Sequence, residues 1–147
     1  MSAAIENIKE LIKNAGLRVT QPRIDVASIL ERNKGKLLTP EEIYLKIKNS
    51  KTMQCDQASV YRVLTKFEEL GIVTKNTFQG EASRYMIDNC GHTHKHHHHF
   101  FKCTKCKKIE PLDGCFFTAA EKKMKDRGYS NLNHHIEVTG TCPKCTK

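Results

Sequence analysis

Residues 56–73 read DQASVYRVLTKFEELGIV, and the fold turns on this stretch. Asp56 or Ser59 can cap a helix there. Val60, Leu64, Phe67 and Leu70 recur along one face at helical spacing, and Gly71 can end the helix in the left-handed conformation. After Gly71 the pattern changes. Ile72-Val73 and Tyr85-Met86-Ile87 flank a polar stretch containing Gly80, which predicts two strands and a turn. Upstream, Ile5, Ile8, Leu11, Ile12 and Ala15 mark a first helix that Gly16 can end. Thr20 can cap a second, with Pro22 in its first turn. Thr39-Pro40-Glu41-Glu42 combines a cap, Pro at the first helical position and Glu three residues after the cap, so a third helix starts there and runs to about Lys48. Helices followed by a hairpin make a winged helix-turn-helix, with the helix at about Gln57 to Leu70 lying in a DNA major groove.

The exposed residues of that helix are Gln57, Ser59, Tyr61, Arg62 and Lys66. Arg and Lys can contact phosphate or guanine, Gln can read adenine, and Tyr can touch a phosphate or a thymine methyl. A solvated face of an ordinary amphipathic helix would look similar, but the hairpin and the basic balance favour DNA. The chain has 147 residues and a formal charge of +9, which points to an anionic partner. The excess is uneven. Residues 1–88 carry 14 basic and 11 acidic residues, and 89–147 carry 11 and 5. The DNA reading therefore rests on placed residues and not on the total. No apolar run reaches the length of a transmembrane helix, and no secretory signal opens the chain, so a cytoplasmic protein without membrane contact is expected.

Cysteine and histidine divide the chain. Residues 1–88 hold one Cys and no His, whereas 89–147 hold six Cys and all eight His. This shift predicts a winged-helix domain over 1–88 and a metal-binding domain over 89–147, with Asp88-Asn89-Cys90-Gly91 as hinge. Seven Cys without a signal peptide argue for metal or thiol chemistry over a disulfide scaffold. Cys103-x-x-Cys106 and Cys142-x-x-Cys145 are two knuckles, each able to aim two sulfurs at one ion. Together they complete the closed tetrahedral shell of a structural zinc. One pair alone could be a redox motif. His96–His99 precede Phe100-Phe101 and read as part of a strand. Alternation then puts His97 and His99 on one face and His96 and His98 on the other. His134-His135 precede Ile136-Glu137-Val138, a second expected strand. Cys90 and Glu110 can add a thiolate and a carboxylate. Cys55, beside a helix start, reads as structural, and Cys115 as a small buried residue on a helix. A solubilising tract or a metal-sticky loop is the bland account of the His run.

The stretches AGLRVTQPR (15–23), LTPEEIY (38–44), ASVYRVLTKFEELGIV (58–73), HHHHFFKCTKC (96–106) and HHIEVTGTCPKC (134–145) resemble the ferric uptake regulator (Fur) family of metal-responsive repressors. The resemblance covers most of the chain in the family's order. It implies an α+β protein with an N-terminal winged helix-turn-helix domain and a small C-terminal α/β dimerisation domain with structural zinc. It also implies a homodimer on a double-stranded DNA operator, with regulatory metal at the hinge. By position, Cys103, Cys106, Cys142 and Cys145 match the structural zinc ligands, and Tyr61 and Arg62 match the DNA-contacting pair. Arg18 matches a basic residue that reaches the minor groove.

Within the family the zinc uptake regulator (Zur) subgroup fits best. Leu37 and Leu38 stand where iron and peroxide sensors place a His, the His run is not interrupted by Asp, and Cys90 precedes it. Thiolate with imidazole favours zinc over ferrous iron. The regulatory site expected at the hinge is Cys90, His97, His99 and Glu110, with Zn2+ or Fe2+ as the regulatory ion. A further metal site would use His96, His98, His134 and Glu121. Two departures leave the His register open. Phe100, Phe101 and Lys102 separate His99 from Cys103, one residue more than in relatives, and His92 and His94 add candidates. The expected function is a zinc-responsive repressor of metal-uptake genes, not an enzyme. The alternative is an iron or peroxide sensor. A zinc hydrolase lacks a His-Glu-x-x-His motif, and a metal buffer would not need the winged-helix half.

Overall fold

Helix α1 (Ser2–Asn14) begins the first of two units into which the chain divides, Met1–Thr93 and His94–Lys147. The computed structural model describes residues 2–51, 54–88, 99–112, 114, 116–132, 134 and 136–147. Unit 1 continues with α2 (Gln21–Arg32), α3 (Pro40–Lys48), α4 (Gln57–Glu69), β1 (Val73–Asn76) and β2 (Arg84–Ile87). The apolar stripes read from the sequence are the ones that pack. Ile12, Val26, Leu30, Ile43, Ile47, Val60, Leu64 and Phe67 are buried in one cluster. Each such side chain contributes about 1.5–3 kcal/mol by leaving water.

The helix ends follow local chemistry. The Thr39 hydroxyl accepts from the Glu42 N–H at 3.1 Å, and Glu42 Oε2 accepts from the Thr39 N–H at 2.8 Å, a complete capping box. Thr20 occupies the cap position of α2, but its side chain makes no cap hydrogen bond. Of the two candidates for α4, Asp56 is the cap. Gly71, at φ +69°, lets the Ile72 N–H reach the Phe67 carbonyl at 2.8 Å and turns the chain from α4 into β1.

β1 and β2 pair antiparallel from Val73↔Ile87 to Asn76↔Arg84. A bridge from Leu38 to Tyr85 ties this hairpin to the approach to α3, through N–H···O bonds of 2.9 and 2.7 Å. Arg84 adds an ion pair to Glu42 at 3.2 Å. The result is the expected winged helix-turn-helix. Buried Asp25 accepts from the Gln21 side chain at 2.6 Å and the Gln54 N–H at 3.1 Å, which joins α2 to the approach to α4.

Unit 2 contains β3 (His99–Cys103), β4 (Ile109–Leu112), α5 (Thr118–Asp126), β5 (Val138–Gly140) and α6 (Pro143–Thr146). Its sheet has the order β4-β3-β5, antiparallel on one side of β3 and parallel on the other. β5 starts two residues beyond the apolar stretch at Ile136. Its ladder, Phe101↔Val138 to Cys103↔Gly140, is set by the β3 backbone opposite and not by the apolar side chains. A Cβ at Gly140 would lie 3.3 Å from Phe101 Cε2, so a side chain there would crowd the ring. α5 buries none of its described side chains. No helix among the described residues is long and apolar enough to cross a membrane.

Candidate functional site

In unit 1 the candidate surface is the outer face of α4. Gln57, Tyr61, Arg62 and Lys66 are exposed along it, and Arg18 is exposed in the loop before α2. Ser59 has a different placement from its neighbours. Its hydroxyl donates to Asp56 Oδ2 at 2.8 Å and accepts from Arg62 Nη2 at 3.0 Å. Asp56 Oδ1 also accepts from the Ser59 N–H at 2.8 Å. These donors hold the Asp56 carboxyl below the ordinary carboxylate range. The helix cap thus also anchors the Arg62 guanidinium through Ser59. Lys66 pairs with Glu69 at 2.8 Å. Near the start of α2, Arg23 Nη1 donates to the Arg18 carbonyl at 2.6 Å. The sequence reading had no role for Arg23, nor for Asp25, whose charge in an otherwise apolar run was the available signal.

Cys55 lies just ahead of this surface, buried in the core of unit 1, in keeping with a structural role. Burial, then Asp25 and Asp56 nearby, push its thiol up to about 11, so it is a neutral packing group.

In unit 2 the two knuckles converge. Cys103 ends β3, Cys142 caps α6, and the sulfurs of Cys103, Cys106, Cys142 and Cys145 all lie within 4.8 Å of one another. Among the described residues no other set of three or more ligand groups comes this close. A tetrahedral zinc with Zn–S of about 2.3 Å needs sulfurs about 3.8 Å apart. The Cys106 and Cys142 sulfurs are 3.7 Å apart, so these residues fit that ion. The Cys142 N–H donates to the Cys103 sulfur at 3.3 Å. Backbone N–H groups, of Cys106 first and Cys142 next, lower the Cys103 thiol to about 6. Cys145 is pushed up to about 12, chiefly by its hydrogen bonds with the Cys142 and Cys106 sulfurs. A divalent cation supplies the charge that four thiolates need.

A second cluster lies in the same unit. The Nε2 atoms of His99 and His134 are 3.3 Å apart, and His134 Nδ1 lies 2.7 Å from Glu121 Oε1. Two nitrogens on one tetrahedral zinc sit about 3.3 Å apart. In the tautomer that gives its Nδ1–H to Glu121, His134 would present the lone pair of Nε2, the carboxylate–histidine arrangement common behind metal ligands. Phe117 stacks on His134 with centroids 5.6 Å apart. His99 therefore lies with His134 and Glu121, two residues the sequence reading put in the further site. Glu110 is opposite Phe101 in the ladder and bonds to Lys108. Cys90, His92, His94, His96, His97, His98, Cys115 and His135 lie outside the described residues.

The sequence model of the ferric uptake regulator family matches residues 14–139. The ferric uptake regulation protein of Legionella pneumophila is 32% identical over 135 residues, covering 91% of this chain and 95% of its own. The structure of the ferric uptake regulator from Francisella tularensis with iron superposes with a TM-score of 0.72 at 28% identity, covering 90% of this chain and 96% of that one. The Vibrio cholerae ferric uptake regulator, whose crystal structure reveals a rearrangement of its DNA-binding domains, gives 0.70 at 27% identity, covering 91% and 98%. The agreement runs through both units, the four-helix-and-hairpin half and the half that gathers the thiols. On sequence and fold together, the chain belongs to the ferric uptake regulator family, metal-responsive regulators rather than enzymes.

Proposed function

We propose that this chain is a cytoplasmic, homodimeric repressor whose hold on a double-stranded DNA operator is governed by a bound divalent metal, with zinc as the sensed ion and metal-uptake genes as targets. Residues 1–88 bind DNA, and residues 89–147 bind metal and the second copy. One observation carries the DNA assignment. α4 exposes Tyr61 and Arg62 on its outer face, and Arg62 is held in place by the Asp56–Ser59 relay. A guanidinium anchored in advance loses less freedom on meeting a base or phosphate. Gln57, Lys66 and Arg18 extend the same surface.

Dimerisation is supported by unit 2, which leaves Phe116 70% and Tyr129 51% exposed. Zinc in the four-cysteine shell would fold unit 2 and supply no chemistry. The regulatory site we assign to Cys90, His97, His99 and Glu110, and a further site to His96, His98, His134 and Glu121. A thiolate at Cys90 supports zinc as the ion of the regulatory site. Iron is the second reading, favoured by the relatives named for ferric uptake and by the iron in the Francisella protein. By linkage, the ion that prefers the DNA-competent geometry must tighten DNA binding.

The test is a DNA titration at fixed salt with the structural site loaded and zinc, ferrous iron or neither added. Zinc should tighten binding at least tenfold, and Cys90→Ser should lose that response. A response to iron alone would transfer the assignment to iron, and no response to either would end it.

A further inference from the structure

A cleft of about 260 Å³ opens between the start of α2 and α4, lined among others by Thr20, Arg23, Ser59, Arg62 and Lys66. It is separate from the groove that Tyr61 shares with Arg62, Thr65, Lys66 and Glu69. Arg62 and Lys66 stand four residues apart on one ridge of α4, so they border both hollows. On the DNA-binding reading above, the hollow with Tyr61 is the side assigned to the bases. The other hollow has three cations from two helices and no carboxylate among its described lining residues.

We propose that this second hollow seats one phosphodiester of the DNA backbone, with Arg23 as its principal ligand. The proposal rests on the DNA-binding reading above. A guanidinium has five N–H donors in a rigid fork suited to phosphate oxygens. Arg23 spends one on the Arg18 carbonyl at 2.6 Å, which keeps the fork at the mouth of the cleft and leaves donors for an anion. A phosphate gripped there also steadies the loop that carries Arg18. Thr20 lines the cleft with a hydroxyl that makes no cap bond within its own helix. Arg62 is steadied by Ser59 at 3.0 Å. The Lys66–Glu69 pair is exposed on both sides, at 47% and 55%, so it holds Lys66 only weakly and yields it to a phosphate. Two acids stand close by. Asp56 is occupied with the Ser59 N–H and hydroxyl, and Glu69 lines the other groove. Such a seat reads no sequence. It sets the register of the protein on the duplex.

The test uses full-length, zinc-loaded protein on two duplexes, one selected from a random pool for tight binding and one of mixed sequence. Affinities of the wild type, Arg23→Gln, Arg23→Lys and Tyr61→Ala are measured between 50 and 200 mM salt. Arg23→Gln should weaken both duplexes by a similar factor, about tenfold at the lowest salt. It should also flatten the slope of log affinity against log salt by about 1. Arg23→Lys should restore the slope with only part of the affinity. Tyr61→Ala should weaken the selected duplex more than the mixed one. An unchanged slope in Arg23→Gln overturns the phosphate seat, as does a loss confined to the selected duplex. If Arg23→Gln melts early, the Arg23→Lys slope decides, and a slope flattened as far as in Arg23→Gln overturns it. Wild-type protein that binds neither duplex overturns the DNA reading itself, and the seat with it.

Discussion

Unit 1 buries Ile12, Val26, Leu30, Ile43, Val60 and Phe67 in one continuous cluster that reaches from α1 to the hairpin. Among the described residues of unit 2, the buried apolar side chains are Phe100, Cys103 and Cys142, with His99 and Lys102 buried beside them. Phe116, Phe117 and Tyr129 stay exposed, and α5 contributes no buried side chain. One unit is a small domain held by apolar burial. The other buries little apolar surface among its described residues, and two of its three buried apolar residues are cysteines of the four-sulfur set. The difference teaches where metal dependence belongs. A set of thiols drawn from both ends of unit 2 can couple metal binding to folding, and the buried aliphatic cluster of unit 1 has no such need.

Three experiments can break that contrast or sharpen it. The largest effect should come from the metal. A strong chelator, or Cys142→Ser, should remove hydrogen-exchange protection from β3, β4 and β5 while α2, α3 and α4 keep theirs. A unit 2 that stays protected without metal would mean that its few apolar contacts suffice after all. Next comes the converse substitution. Phe67→Ala removes a fully buried ring from the centre of unit 1 and should cost about 3–5 kcal/mol in denaturant melts. The zinc content of the protein should not change.

The smallest effect concerns pH. The Cys55 thiol is pushed up to about 11 in the folded state, from an ordinary value of 9.0. Between these two values the unfolded chain releases a proton that the folded chain keeps, so stability falls as pH rises through that window. Below pH 9.0 both states are protonated and the contribution is constant. Cys55→Ala should flatten this part of the stability–pH curve for α2–α4, read by exchange at α4 amides. The effect should be smaller than that of Phe67→Ala.

Much of this molecule was legible before any coordinates. Thr39 and Glu42 are three residues apart, and their capping box depends on nothing else in the chain. The same holds for Gly71 after the apolar stripe of α4. The knuckles were legible because two residues between cysteines suffice to turn one sulfur toward the other. The second histidine cluster was only half legible. Alternation along β3 and the candidacy of His134 and Glu121 were visible, yet the pairing of His99 with His134 spans 35 residues. No local period encodes it. The Arg84–Glu42 ion pair spans 42 residues and was missed for the same reason, as was the bond from the Gln54 N–H to Asp25.

By itself the sequence determined the helices of unit 1, the capping box at Thr39, the hairpin and the four-cysteine set, because these follow from short-range periodicity and the geometry of a few adjacent residues. Only the tertiary structure decided that Arg23 shares a cleft with Arg62 and that His134, beside Glu121, meets His99. Those arrangements depend on side-chain directions and on chain segments meeting in space. Packing sets both, and neither repeats along the chain.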